Sequence, residues 1–145
     1  MSDSTTILVI DDNTDQRDYY VHRLQASSPD YVVVQAETGR AGLALCEQHP
    51  PDCVILELDL PDMSGFEVLL KLVPRVYSPE IAVIVLTRLK NPYLLEAALT
   101  NGARAALHKD MASGDVLDTA VIKAIAAVPK ERKRAWQTKA HGTYR

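Results

Sequence analysis

Short runs rich in Val, Ile and Leu recur along the chain and constrain its fold more than any other feature. They cover residues 7–10, 31–36, 53–58 and 81–86, with a shorter and more polar run at 104–108. Runs of this kind are typical of strands buried on both faces of a parallel sheet. Because parallel neighbours need long crossover connections, usually helices, we expect an α/β domain with three layers.

The segments between these runs carry the signals of helices. Apolar residues recur at helical spacing after Thr14, and Pro92 suits the first turn of a helix. Gly102 stands where a left-handed helix cap is needed, and Ser113 or Asp115 can cap the last helix. Five strands alternating with five helices predict a doubly wound sheet with strand order 2-1-3-4-5.

Size and composition fit one globular domain. The chain has 145 residues, of which 47% are hydrophobic and 24% are charged. No apolar run approaches the roughly 20 residues of a membrane helix, and the N-terminus carries no secretion signal. Cys46 and Cys53 lack the spacing of a metal site, which favours a reducing compartment. We therefore expect a soluble, cytoplasmic protein without a membrane partner.

The charge is distributed unevenly. Residues 130–145 hold six basic residues and one acid, whereas the preceding 129 residues hold 10 basic and 18 acidic residues. We assign residues 1–6 to an N-terminal extension, 7–128 to the domain, and 129–145 to a basic tail or linker. A basic run is most often a solvated segment, and docking on an acidic surface is the alternative. We do not expect nucleic-acid binding.

Polar groups follow four of the predicted strands. Asp11 and Asp12 follow the first strand, Glu57 lies near the end of the third, Thr87 follows the fourth and Lys109 the fifth. In a doubly wound sheet these ends lie on one edge, where ligands bind. Converging acids suggest Mg²⁺, and a lysine with a hydroxyl suggests a place for phosphoryl oxygens.

The order and spacing of these motifs resemble the CheY-like receiver domain of two-component response regulators. The matching motifs are Ile-Leu-Val-Ile-Asp-Asp-Asn (7–13), the segment from Pro51 to Gly65 that contains Leu-Pro-Asp-Met-Ser-Gly, Val-Ile-Val-Leu-Thr (83–87), and Lys109. The resemblance covers residues 7–128 and implies a flavodoxin-like (βα)5 fold. It also implies that the chain is not an enzyme.

The resemblance implies roles for the polar residues and for partners. It makes Glu57 the phosphoacceptor position, Thr87 the switch hydroxyl and Lys109 the phosphate-binding lysine. It further implies a histidine kinase or a downstream signalling protein as partner, and pairing of two copies through the face from the fourth to the fifth helix. The residues implied to hold Mg²⁺ are Asp11, Asp12, Glu57 and Asp59.

The chain departs from the family pattern at four positions, one of which is Asp110, where the family has a proline after the lysine. Glu57 stands where the family has an aspartate, and its extra methylene moves the carboxylate outward by about 1 Å, a misplacement that costs roughly 10²-fold in such chemistry. Ala106 replaces a common aromatic residue. Arg88 replaces a small residue, and we expect it to pair with Glu57 or Asp59. The leading interpretation is an atypical receiver, an interaction module that is not phosphorylated at the usual position and mimics phosphorylation weakly.

Several alternatives remain open from the sequence alone. Asp12 or Asn13 can simply cap the first helix, and Glu57 can form a salt bridge with Lys109 without any ligand. A conventional phosphorelay receiver with an engineered acceptor, or with Asp59 compensating, is the second interpretation. A flavodoxin-like cofactor binder or enzyme is the third.

Overall fold

Five strands alternate with five helices in the described part of the chain. A computed structural model describes residues 4–74 and 81–128. The strands are β1 (Thr5–Ile10), β2 (Tyr31–Ala36), β3 (Cys53–Leu56), β4 (Ala82–Thr87) and β5 (Ala105–His108). The helices are α1 (Thr14–Ser27), α2 (Gly39–Gln48), α3 (Gly65–Leu72), α4 (Pro92–Thr100) and α5 (Gly114–Ala126). The predicted basic tail, 129–145, lies outside the described residues.

The sheet has the predicted topology. Its strands are all parallel and lie in the order β2-β1-β3-β4-β5. Ile10 at the end of β1 pairs with Ala36 on one side and Leu56 on the other. Thr87 at the end of β4 pairs with His108 at the end of β5. The register therefore brings the carboxyl ends of the strands to a common edge, where the predicted site residues follow.

Each face of the sheet is covered by its own apolar layer. Successive residues of the central strands, such as Ile7 and Leu8, point to opposite faces and belong to separate buried clusters. The cluster around Leu8 includes Leu69 of α3, and the cluster around Ile7 includes Leu117 of α5. Burial on both faces explains why β1, β3 and β4 are apolar runs without alternation.

The helices begin at residues whose side chains bond the first free backbone N–H groups. Asn13 accepts from the Gln16 N–H and Ser113 from the Val116 N–H, so Ser113 rather than Asp115 caps α5. Pro92 occupies the first turn of α4, as predicted. Gly102, just beyond α4, has a φ of 104°, the left-handed conformation expected for this position. No helix within residues 4–74 and 81–128 is long and apolar enough to cross a membrane.

The largest differences from the predicted element boundaries lie at β1, at β3 and in the segment after β5. β1 begins at Thr5, so the last two residues assigned to the extension lie in the strand. β3 ends at Leu56 rather than at 58, and the two residues that follow it, Glu57 and Leu58, are also buried. A 3-10 helix, Lys109–Met111, follows β5, and no pattern in the sequence indicated it.

Candidate functional site

Glu57 lies at the centre of the common edge and is almost completely buried, with 1% of its surface exposed. Its backbone N–H donates to the Ile10 carbonyl at 3.0 Å, which ties it to the end of β1. Its Oε2 accepts from the Thr87 hydroxyl and, at 3.1 Å, from the Asp59 N–H. Its Oε1 accepts from the Arg88 N–H at 3.2 Å. Together with Lys109, these residues give the carboxylate four hydrogen-bonding neighbours.

Lys109 joins the acids at the ends of β1 and β3. Its Nζ lies 2.8 Å from Asp11 Oδ2 and 3.0 Å from Glu57 Oε1. The ammonium also donates to Gln16 Oε1 at 2.5 Å. Only 5% of the lysine side chain is exposed. The predicted salt bridge between Glu57 and Lys109 is therefore present, within a buried network.

The hydrogen bonds around Glu57 set its ionisation. Burial alone raises the pKa of this carboxyl, because a charge is costly in an apolar environment. The Thr87 hydroxyl, the Asp59 N–H and Lys109 lower it, and together they hold the pKa of Glu57 below its ordinary value. Glu57 is therefore a carboxylate at neutral pH.

Thr87 is the last residue of β4 and is fully buried, with no exposed surface. Its hydroxyl donates to Glu57 and accepts from the Leu89 N–H at 3.1 Å. The hydroxyl thus connects Glu57 to the loop that leads into α4. Ala106, in β5, packs against the apolar cluster that contains Leu8.

Arg88 covers the outer side of the site. Its Nε and Nη2 donate to Asp59 Oδ2 at 3.2 and 3.1 Å. Its Nη1 lies 3.6 Å from Asp12 Oδ1. Of the two predicted partners, Asp59 is bonded by the guanidinium of Arg88, whereas Glu57 is bonded by its backbone N–H.

Comparison with known proteins identifies the family. The family model described as the response regulator receiver domain matches residues 7–121. The chain belongs to this family. It is 37% identical over 113 residues to the nitrate/nitrite response regulator protein NarL of Escherichia coli K12, covering 77% of this chain and 51% of that protein. The receiver therefore spans about half the length of that relative.

Solved structures agree with the family and with the fold. The signal receiver domain of the putative response regulator NarL from Mycobacterium tuberculosis superposes with a TM-score of 0.76 at 27% identity, covering 87% of this chain and 99% of that one. A CheY-like receiver domain protein from Methanospirillum hungatei JF-1 gives 0.76 at 25% identity, with coverage of 91% and 98%. The predicted flavodoxin-like fold is confirmed.

The acids of this receiver do not fit a bound Mg²⁺ as they lie. Lys109 occupies the facing oxygens of Asp11 and Glu57, and Arg88 lies between Asp12 and Asp59. Within residues 4–74 and 81–128, no group of three or more His, Cys, Asp or Glu residues is arranged to hold a metal ion. Asp12 Oδ1 is buried and accepts no hydrogen bond from the described residues.

Two residues of α1 support the site but were not singled out from the sequence. Gln16 accepts from Lys109, and the buried Arg17 donates to the Asp11 carbonyl at 2.7 Å. Arg17 also bonds Gln35 within β2 and Glu37 just beyond its end. Arg17 falls on the apolar stripe of α1, and a charged residue on such a stripe is the signal that could have revealed it.

Proposed function

We propose that this chain is an atypical receiver whose signalling surface is set without phosphorylation at the usual position. The observation that carries the proposal is that the Glu57 carboxylate already contacts both Thr87 and Lys109. In the family these two residues are the switch hydroxyl and the phosphate-binding lysine. Glu57 therefore takes the contacts that a phosphoryl group would make.

The geometry of a glutamate supports mimicry over chemistry. The extra methylene places the carboxylate outward, where it reaches the Thr87 hydroxyl directly. Phosphoryl transfer depends on the position of the attacking oxygen, and this oxygen is engaged in hydrogen bonds. Glu57 carries one negative charge where a phosphoryl group carries up to about two, so the mimicry is partial.

The partners of this function are signalling proteins. Response regulators receive signals from histidine kinases, and we propose such a kinase or a downstream signalling protein as the partner. A second copy of the chain is a further candidate, pairing through the face formed by α4, β5 and α5. Tyr93 of α4 and Val116 of α5 are exposed there, with 75% and 40% of their surface accessible.

Intact-mass spectrometry tests the proposal directly. The full chain is incubated with Mg²⁺ and acetyl phosphate, beside a conventional receiver that serves as a positive control in the same tube. We expect the control to gain one phosphoryl group and this chain to gain none. A phosphoryl group mapped to Glu57 or to Asp59 would contradict the proposal and favour a working phosphorelay receiver.

A second experiment tests whether Glu57 sets the output surface. Glu57→Gln removes the charge and keeps the size, and Glu67→Gln on the exposed side of α3 is the matched control. We expect NMR amide shifts to change through residues 87–108 in the Glu57 variant and to stay local in the control. Equal and local changes in both variants would show that Glu57 does not set the output surface.

A further inference from the structure

Positive charge from the chain itself is interleaved with the acids of the site. Four carboxylates lie at this edge. Each of two cationic side chains lies between two of these carboxylates. Lys109 bridges Asp11 and Glu57 at 2.8 and 3.0 Å. The guanidinium of Arg88 lies 3.1 Å from one acid and 3.6 Å from another. Each acid therefore has a cation of the chain beside it.

The two cations are not equivalent. A lysine at the position of Lys109 is part of the family pattern, in which the strand-1 acids also hold Mg²⁺. Such a lysine does not by itself exclude a metal ion, so Lys109 does not distinguish this site from that of other receivers. Arg88 stands where the family has a small residue, and its guanidinium lies between Asp12 and Asp59. Arg88 is thus the cation that distinguishes this site.

Arg88 is held in place by contacts of its backbone as well as its side chain. Its N–H donates to Glu57 Oε1, and His108 Nε2 lies 3.1 Å from its carbonyl oxygen. Two of its guanidinium nitrogens bond Asp59 Oδ2 in a fork, a geometry that an ammonium group does not reproduce. The β4 end, β5 end and the loop after β3 therefore fix this charge over the acids.

We infer that Arg88, together with Lys109, supplies from within the chain the positive charge that a divalent cation supplies in other receivers, and that Arg88 excludes such a cation from the site. The inference concerns the same site as the proposed function and rests on its geometry. It does not depend on whether Glu57 accepts a phosphoryl group.

Manganese binding tests the inference without reference to activity. Mn²⁺ alone is titrated into the full chain, and the EPR signal of free Mn²⁺ reports binding, with Mg²⁺ added as competitor. The variant Arg88→Met removes the charge and keeps a long side chain. Arg104→Met is the matched control, because Arg104 is exposed and precedes β5, at the opposite edge of the sheet.

We expect Arg88→Met to bind Mn²⁺ at least about tenfold more tightly than wild type, because a nearby positive charge no longer repels the divalent ion. Arg104→Met should bind as weakly as wild type. Arg88→Lys keeps the charge at this position without the guanidinium fork, and we expect it to bind Mn²⁺ more weakly than Arg88→Met. Thermal melting of each variant verifies that it is folded.

Three results would overturn the inference. Wild type could bind Mn²⁺ as tightly as Arg88→Met, or neither protein could bind it, and in both cases Arg88 does not control access. Arg88→Lys could bind as tightly as Arg88→Met, in which case charge is not the cause. The phosphoryl-mass experiment has a separate readout, so either proposal can fail while the other stands.

Discussion

Glu57 combines deep burial with a full set of hydrogen-bond partners. A buried charge is tolerated only when it is paired and hydrogen-bonded, and here Thr87 and Lys109 meet both requirements. Removal of the Glu57 charge would leave the Lys109 ammonium with fewer compensating charges, and Lys109 is itself almost completely buried. The residue is therefore important to stability as well as to the proposed output.

Replacement of this carboxylate is expected to destabilise the domain. Glu57→Gln leaves the Lys109 ammonium with one buried anion fewer, and we expect a loss of about 1–3 kcal/mol in the free energy of unfolding at pH 7. Urea denaturation measures the loss. Glu67→Gln, at an exposed position, should change the free energy little, and an equal loss in both variants would contradict the expectation.

The lowered pKa of Glu57 predicts the sign of a pH effect. A group whose pKa is lower in the folded state contributes stability above its unfolded value, which is about 4.3 for a glutamate. That contribution disappears as the pH falls from that range through the folded pKa. We therefore expect the stability difference between wild type and Glu57→Gln to shrink on acidification. Urea denaturation at a series of pH values measures it, and a constant or growing difference would contradict the prediction.

At the scale of elements, the start of α3 lies unusually close to the end of β3. The Gly65 N–H donates to the Leu58 carbonyl at 2.8 Å. A Cβ at Gly65 would lie 2.5 Å from both the Glu57 carbonyl oxygen and the Leu58 Cα. Only a glycine allows the helix to approach the residues after β3 this closely, and this approach positions the backbone of Glu57.

We expect Gly65→Ala to cost about 1–3 kcal/mol, because fixed backbone atoms must move. Gly114→Ala is the matched control at the start of α5. There a Cβ would meet the Arg23 side chain, 2.5 Å from its Nε, and this flexible group can move aside. Chemical denaturation should show a clear loss for Gly65→Ala and little change for Gly114→Ala. Equal losses would contradict the close-approach argument.

Most of the fold could be predicted from the sequence because strands buried on both faces must be apolar throughout. The ends of those runs also located Asp11, Glu57, Thr87 and Lys109 at one edge. The contribution of α1 was not predicted, since the contact of Gln16 with Lys109 joins residues 93 positions apart. Such contacts depend on side-chain directions that helical spacing alone does not determine. The sequence predicted that Arg88 would pair with Asp59, but it did not predict that Arg88 would also lie beside Asp12.

At the scale of the whole molecule, the proposed pairing of two copies makes a further prediction. Tyr93→Glu introduces a charge on the exposed surface of α4, and we expect it to weaken any self-association measured by analytical ultracentrifugation. Tyr19→Glu on α1 is the control, because Tyr19 is also exposed, at 55%. A wild-type chain that stays monomeric at every concentration, or an equal effect of both variants, would contradict pairing through this face.

The contacts of Glu57 have a consequence for how long a signal lasts. A phosphoryl group on a carboxylate is joined by a bond that water can break, so a state that depends on it decays with time. The bond that attaches the Glu57 carboxylate to the chain is a carbon–carbon bond and does not hydrolyse. Under the proposed function, a state held by Glu57, Thr87 and Lys109 therefore does not decay by hydrolysis. We expect it to change only when the amount of the protein changes or when a different partner binds.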